Sequence, residues 1–163
     1  MCARLPVELL VLLNPMIPRP NETPGEWWAT TGQAEAKRAN DLREGRSPEA
    51  GFDWLVDFFH DVPQQVIDEA SAQGAPRQSD TVFGSVCTFA TWPAVPTRVL
   101  VGRDDRFFPL DFQRRVARER LGITPDDLPG GHLVALSRPT DLAERLDAYA
   151  TQLRPGGSLV SGG

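Results

Sequence analysis

Asp105 follows a short apolar run that has the composition of a buried strand. Residues 97–101 read Thr-Arg-Val-Leu-Val, and Gly102 allows the backbone to turn sharply after them. In open parallel sheets, active sites lie at the carboxyl ends of the strands. A carboxylate in this loop could therefore orient a histidine. The neighbouring Asp104 is expected to be an ordinary solvated loop residue.

His132 is the histidine that could partner Asp105, because it follows a turn made of Pro129, Gly130 and Gly131. Two successive glycines permit a tight backbone and leave space around the imidazole. A histidine titrates near neutrality, which suits it to take and return a proton. Each residue alone could also be a surface loop residue, since glycine turns and loop aspartates are common. We predict that the two side chains lie within hydrogen-bond distance at the ends of adjacent strands.

His60 is the only other histidine, and Asp57 lies one helical turn before it. A metal site needs more ligands than this pair supplies. We favour a structural or surface role for His60, with the shaping of a substrate pocket as the alternative. The two cysteines, Cys2 and Cys87, show no C-x-x-C pattern, so neither a zinc site nor a disulfide is expected. The sequence predicts no metal and no cofactor.

The elements that must position Asp105 and His132 alternate between strands and helices. Three apolar segments are predicted to be strands, at about 7–13, 97–102 and 124–128. A helix is predicted from about 111 to 121, where Gly122 ends it, and the last helix has Pro139 in its first turn. This alternation predicts an α/β fold with a parallel sheet and helices on its faces.

The residues between the first two strands form a predicted helical insert at 26–91, rich in aromatic side chains. These side chains could form the insert's own small core or an apolar lid over a pocket, and we favour the core. The aromatic residues concerned are Trp27, Trp28, Trp54, Phe58 and Phe59.

Composition excludes several classes of partner. The net charge of −5 and the mixture of charges along the chain argue against binding to nucleic acid or to an anionic membrane. The longest apolar run, at 7–13, is too short to span a bilayer, and the first residues lack the pattern of a signal peptide. We therefore expect a cytoplasmic protein.

The two segments with candidate chemistry resemble motifs of the α/β-hydrolase superfamily, in particular its esterase-like members. Residues 102–109 resemble the G-x-x-D-x-x-x-P loop that carries the family's catalytic acid. Residues 130–139 resemble its G-G-H…P turn, which carries the catalytic histidine. Residues 14–18, 24–28 and 60–63 are similar to the entry and body of its cap. The resemblance implies that Asp105 and His132 are the catalytic acid and histidine of an esterase-like hydrolase.

The resemblance also implies a domain layout for a partial α/β-hydrolase fold, with its last three strands and its cap. The predicted parts are a strand and cap entry at 1–25, the cap at 26–91, a C-terminal core with the acid and histidine at 92–154, and a flexible tail at 155–163. The family's nucleophile lies on a G-x-S-x-G turn, and no serine of this sequence has glycines on both sides at that spacing. The implied enzyme is therefore truncated, and weakly active or inactive alone.

Three hypotheses follow about function. The chain is a fragment of a hydrolase for small apolar or ester-type substrates, a non-catalytic binding or interaction module that keeps the cap pocket, or one half of a split enzyme. In a fragment, strand 7–13 would be an unpaired sheet edge, so self-association through it is expected.

Overall fold

The structure, a computed structural model, describes residues 6–72, 74, 79 and 81–153 of the chain. Its strands and helices follow one another in the order β1 (Leu10–Leu13), α1 (Pro24–Thr31), α2 (Gln33–Arg43), α3 (Trp54–Asp57), α4 (Gln64–Ala72), α5 (Thr81–Gly84), β2 (Thr97–Gly102), α6 (Leu110–Leu121), β3 (Asp126–Leu128), α7 (Val134–Ser137) and α8 (Pro139–Leu153). The tail predicted at 155–163 lies outside the described residues.

The three strands form one parallel sheet in the order β1-β2-β3. This confirms the predicted α/β class and its three-stranded parallel sheet. Both outer strands are shorter than predicted, for a local reason. The ladder between β1 and β2 begins just after Pro96, and β3 begins just after Pro125. A proline has no N–H with which to extend a ladder of hydrogen bonds, so neither outer strand continues further towards the N-terminus.

The central strand, β2, is buried on both faces, as a near-continuous apolar run in a parallel sheet should be. Val99, Leu100 and Val101 are at most 2% exposed. One face of the sheet packs on α1 and α6 through a cluster that includes Trp27, Val99, Val101, Phe112 and Val116. The other face packs on α7 and α8 through Leu100, Leu128, Val134 and Tyr149. The acid motif therefore follows a strand held by both clusters, and the histidine motif follows a strand held by the second.

The predicted helix ends agree with the structure. α6 ends at Gly122, which adopts a left-handed conformation with φ 68°. α8 begins at Pro139, where the missing N–H leaves no hydrogen bond unmade. Among the described residues, no helix combines the length and the apolar character needed to cross a membrane.

The aromatic residues of the insert do not form the separate core that we predicted. Trp27 is fully buried, but it packs in the cluster that covers β2 and α6. Trp54 is 49% exposed and Phe52 is 56% exposed. The reason is that α3 has only four residues, too few to turn one continuous apolar face towards the sheet.

Candidate functional site

Asp105 lies in the loop between β2 and α6, and the backbone of that loop fixes its carboxylate. Its Oδ1 accepts hydrogen bonds from the N–H groups of Phe107 and Phe108, both at 2.8 Å. The residue is only 2% exposed. The two backbone donors on one oxygen fix the orientation of the carboxylate and leave its second oxygen aimed at one close partner.

That partner is His132, whose Nδ1 lies 2.8 Å from Asp105 Oδ2. The predicted contact between the two residues is thus confirmed, and each follows one of two neighbouring strands, β2 and β3. A carboxylate can only accept a hydrogen bond, so this contact favours the tautomer with the proton on Nδ1. The other ring nitrogen, Nε2, is then free to accept a proton from a reacting group.

Gln113, on α6, is a neighbour of the acid that sequence reasoning missed. Its side chain is buried, and Nε2 donates to Phe108 O at 2.7 Å and, at a longer 3.4 Å, to Asp105 Oδ2. The amide therefore closes the loop around the carboxylate. No motif pointed to it, since its role depends on the turn that brings α6 back beneath Asp105.

Asn14 is the second missed residue, and it joins the end of β1 to the histidine turn. Its backbone has φ 41°, a region that asparagine tolerates better than most residues. Its Oδ1 accepts from Gly102 N at 2.7 Å, and its Nδ2 donates to His132 O at 2.7 Å and Gly131 O at 3.3 Å. One side chain thus ties together the two loops that carry the acid and the histidine. An asparagine directly after a strand, at the same sheet edge, was the available signal.

Asp104 is exposed, as predicted, but it is more than a solvated loop residue. Its Oδ2 accepts from Gly130 N at 3.0 Å, and its own N–H donates to Gly130 O at 3.0 Å. This pair of hydrogen bonds fastens the acid loop to the glycine turn. The correction arises because the partner lies 26 residues away in sequence and becomes a neighbour only through the parallel sheet.

Three phenylalanine rings surround the imidazole of His132. Phe58 stacks on it, with ring centroids 4.5 Å apart and 15° between the planes. Phe107 and Phe108 approach edge-on at 5.6 Å and 5.2 Å. Phe58 belongs to the insert and the other two to the acid loop, so apolar groups enclose the histidine from two sides of the fold.

A buried ion cluster holds the segment that ends in Phe58. Asp57 is 1% exposed, and its carboxylate lies 3.0 Å from Lys37 Nζ. Lys37 also reaches Asp41 at 2.8 Å. Burial lowers the pKa of Lys37, but the hydrogen bonds and charges of the two aspartates outweigh it, so the pKa is raised overall. Lys37 therefore remains charged and links α2 to α3.

His60 lies against the histidine turn. A methyl group added at Gly131 would come within 2.5 Å of His60 Nε2. Burial lowers the pKa of His60, and the charge of Arg106 lowers it further, against the opposing charge of Asp61. The structure places His60 closer to the acid–histidine pair than the sequence indicated, and its structural role stays a prediction.

The described residues contain no hydroxyl or thiol hydrogen-bonded to His132 and no group of three or more metal-ligating side chains. The arrangement is an oriented, partly enclosed base with an anionic partner. It can accept a proton at Nε2 and stabilise the imidazolium that forms.

Comparisons with known proteins address the family and the fold of the chain. Residues 1–145 match the alpha/beta hydrolase family. A search of curated proteins found no match. Two pyrethroid hydrolase structures superpose on this chain with TM-scores of 0.56 and 0.54, each at 21% sequence identity, and the second is from Sphingobium faniae. The superpositions cover 89% and 88% of this chain and 61% of each neighbour.

Polyneuridine aldehyde esterase superposes with a TM-score of 0.56 at 14% identity, covering 88% of this chain and 62% of that one. At these identities the likeness shows the fold, and the chain spans about three fifths of the length of its structural neighbours. Because the family match covers most of the sequence, strands and both candidate motifs included, the chain belongs to the alpha/beta hydrolase family.

Proposed function

We propose that Asp105 and His132 are the acid and the general base of a serine-type hydrolysis of esters or related carbonyl compounds. The observation that carries the proposal is the 2.8 Å contact between Asp105 Oδ2 and His132 Nδ1, which leaves Nε2 as the proton acceptor. Family membership supports the same reaction class.

In this reaction a serine hydroxyl attacks the substrate carbonyl while His132 Nε2 takes its proton. The imidazolium then returns that proton to the leaving alkoxide as the acyl–oxygen bond breaks. A water molecule attacks the acyl-enzyme by the same proton path and regenerates the serine. Asp105 accepts the hydrogen bond from Nδ1–H and stabilises the imidazolium through it.

The proposal places the nucleophile on polypeptide outside these 163 residues, because no serine of the sequence lies in a G-x-S-x-G turn. The incomplete coverage of the structural neighbours supports this division. A truncated hydrolase and a split hydrolase both fit it, and they differ in whether the nucleophile is joined to this chain or carried by another.

The purified chain is therefore expected to hydrolyse p-nitrophenyl acetate at a rate that does not change in His132→Ala, because no activated serine is present. His60→Ala is the matched histidine control. A large rate that His132→Ala abolishes would show that the chain contains its own nucleophile and would overturn the division proposed above.

The same experiment has a second arm, in which the chain is co-expressed with the reading frame that precedes Met1. We expect that frame to encode a G-x-S-x-G turn and the assembly to hydrolyse the ester, with His132→Ala reducing the rate by about 10²-fold or more. An active assembly that is indifferent to His132 would contradict the role of the base.

A non-catalytic binding module is the second candidate, and the aromatic residues around His132 favour it. Phe52, Phe58 and Phe107 contact one another at centroid distances of 4.8–5.2 Å, and Phe52 is more than half exposed. Such a wall could hold an apolar ligand without chemistry. Saturable binding of an apolar ester, without turnover in the co-expressed assembly, would favour this function over hydrolysis.

We further propose that isolated chains associate with one another through the free edge of β1. Among the described residues only β2 pairs with β1. Leu10 N and Asn14 N donate to carbonyls of the β2 segment, so by alternation the backbone groups of Val11 and Leu13 point to the open edge. The side chains of Val11 and Leu13 are half-buried rather than fully exposed, because both pack on the cluster of Leu100, Leu128, Val134 and Tyr149.

Size-exclusion chromatography with light scattering is expected to find dimers or larger species for the wild type, and a shift towards monomer for Val11→Pro. A proline there removes a donor from the open edge and leaves the β1–β2 ladder in place. Leu12→Pro is the matched control, and it should unfold the chain because its N–H faces β2. A stable wild-type monomer with a cooperative melt would refute the association.

A further inference from the structure

The segment from Phe58 to Asp61 touches both the imidazole and the backbone turn of His132. Phe58 stacks on the ring. Three residues later, Asp61 Oδ2 accepts the N–H of Gly131 at 2.8 Å, and Gly131 directly precedes His132. The two residues thus contact the histidine from its side chain and from its main chain.

The contact between this segment and the turn leaves no room for a side chain. A methyl group at Gly131 would lie 2.8 Å from Asp61 Oδ1, and one at Gly130 would lie 3.2 Å from Asp61 Oδ2. Both distances are shorter than ordinary van der Waals contact. The carboxylate of Asp61 is therefore wedged against the two glycines, and its position sets the path of the backbone into His132.

Three side chains hold the turn by hydrogen bonds, and they come from different parts of the fold. Asp104 binds Gly130 from the acid loop, and Asn14 binds Gly131 and His132 from the end of β1. Asp61 is the one that belongs to the insert, 70 residues before its partner. Of these three hydrogen-bonding side chains, Asp61 is the one that makes the backbone of the turn depend on where the insert sits.

We propose that Asp61 is a positioning residue, which holds the N–H of Gly131 so that His132 presents Nδ1 to Asp105. Phe58 completes the arrangement by fixing the plane of the imidazole. A displacement of the segment between α3 and α4 would therefore release the histidine from its acid. The inference rests on the proposed function only in treating His132 as the base, and its test does not depend on hydrolysis.

The test is nuclear magnetic resonance of the whole chain, in which two histidines make the imidazole signals easy to assign. In the wild type, ¹⁵N shifts should report the tautomer with the proton on Nδ1 of His132, and that proton should exchange slowly with water. Asp61→Leu keeps the number and branching of the side-chain heavy atoms and removes both acceptor oxygens. It should mix the tautomers and speed exchange of the Nδ1 proton by about tenfold or more, the effect of losing one hydrogen bond to a charged group.

Two matched variants separate positioning from a general effect on stability. Asp61→Asn keeps an acceptor oxygen and should preserve the wild-type His132 signals. Asp68→Leu changes an exposed aspartate of α4 that does not contact the turn, and it should leave them unchanged. A folded Asp61→Leu with wild-type His132 signals would overturn the proposal, and so would an Asp61→Asn that behaves like Asp61→Leu.

If Asp61→Leu does not fold, hydrogen exchange of the wild type at low denaturant concentrations gives the answer. The Gly131 N–H and the His132 Nδ1 proton should lose protection in the same opening reaction as the amides of α4. A His132 proton that stays protected while Gly131 N–H exchanges would refute the coupling. Failure of the esterase assay would leave these signals untouched, so the two proposals can fail separately.

Discussion

Arg120→Met is expected to lower the free energy of unfolding by about 3–5 kcal/mol, the usual cost of removing one partner from a buried ion pair. Arg120 lies on α6, and its side chain is 4% exposed. It forms a bidentate ion pair with Glu22, whose side chain is 9% exposed. It also donates to Ile17 O at 2.6 Å. The variant therefore leaves a buried carboxylate without its counter-charge. Glu22 keeps only the N–H of Arg19 and the hydroxyl of Thr30 as donors, and Ile17 O keeps only the indole N–H of Trp27.

The pKa of Glu22 gives the pH dependence of this effect. Burial raises that pKa, but the hydrogen bonds and the charge of Arg120 outweigh it, so the pKa lies below its ordinary value of 4.5. A depressed carboxyl pKa means that the pair stabilises the fold fully above pH 4.5 and loses this contribution as the pH falls through the folded-state pKa. The difference between wild type and Arg120→Met should shrink over the same range.

Urea unfolding followed by circular dichroism measures the change, with two matched variants. Arg118→Met removes an exposed arginine of the same helix and should cost no more than about 0.5 kcal/mol. Arg120→Met combined with Glu22→Leu removes both charges and should recover much of the lost stability. If the double variant is no more stable than Arg120→Met, the loss does not come from the unpaired carboxylate.

Gly102→Ala is expected to cost about 3 kcal/mol or more and to separate Asp105 from His132. A methyl group at Gly102 would lie 2.6 Å from Gly130 O and closer still to Gly131 O. Both obstacles are backbone carbonyls, which cannot swing aside as a side chain does. The end of β2 must then move away from the histidine turn, and Asp105 is three residues further along the same loop.

Thermal unfolding should show a fall in Tm of roughly 6–12 °C for such a loss in a chain of this size. The slowly exchanging proton on His132 Nδ1 should disappear as well. Gly84→Ala is the control, since a methyl group there meets nothing within 4 Å, and its Tm should stay the same or rise slightly. A Gly102→Ala with wild-type Tm and an intact His132 signal would contradict the close approach of these glycines.

The sequence alone was sufficient for the elements whose patterns are local. The apolar run of β2, the glycine that ends α6 and the proline that begins α8 all lie where the sequence predicted them. The acid and the histidine were also predictable as neighbours. Asp105 and His132 follow adjacent parallel strands, whose carboxyl ends must meet at one edge of the sheet.

The tertiary structure alone decided which polar side chains hold the site. Asn14, Gln113 and Asp61 serve the acid loop and the histidine turn. Nothing near Gln113 or Asp61 in the sequence marks them for that role, and the one signal for Asn14 was its position directly after β1. Asn14 and Asp61 are 118 and 70 residues from the turn atoms that they bind. A hydrogen bond depends on distances of about 3 Å and on direction, which no residue spacing specifies over such separations.

The same reason explains the errors made with the aromatic residues and with Asp104. Composition gathered Trp27 and Trp54 into one predicted core, whereas packing buried the first beneath β2 and left the second half exposed. Burial of an apolar side chain lowers the free energy of the fold, but the length and direction of its helix decide whether that side chain becomes buried. In this protein the sequence determined the strands, the helix ends and the chemistry at the sheet edge, while the fold determined what aligns that chemistry.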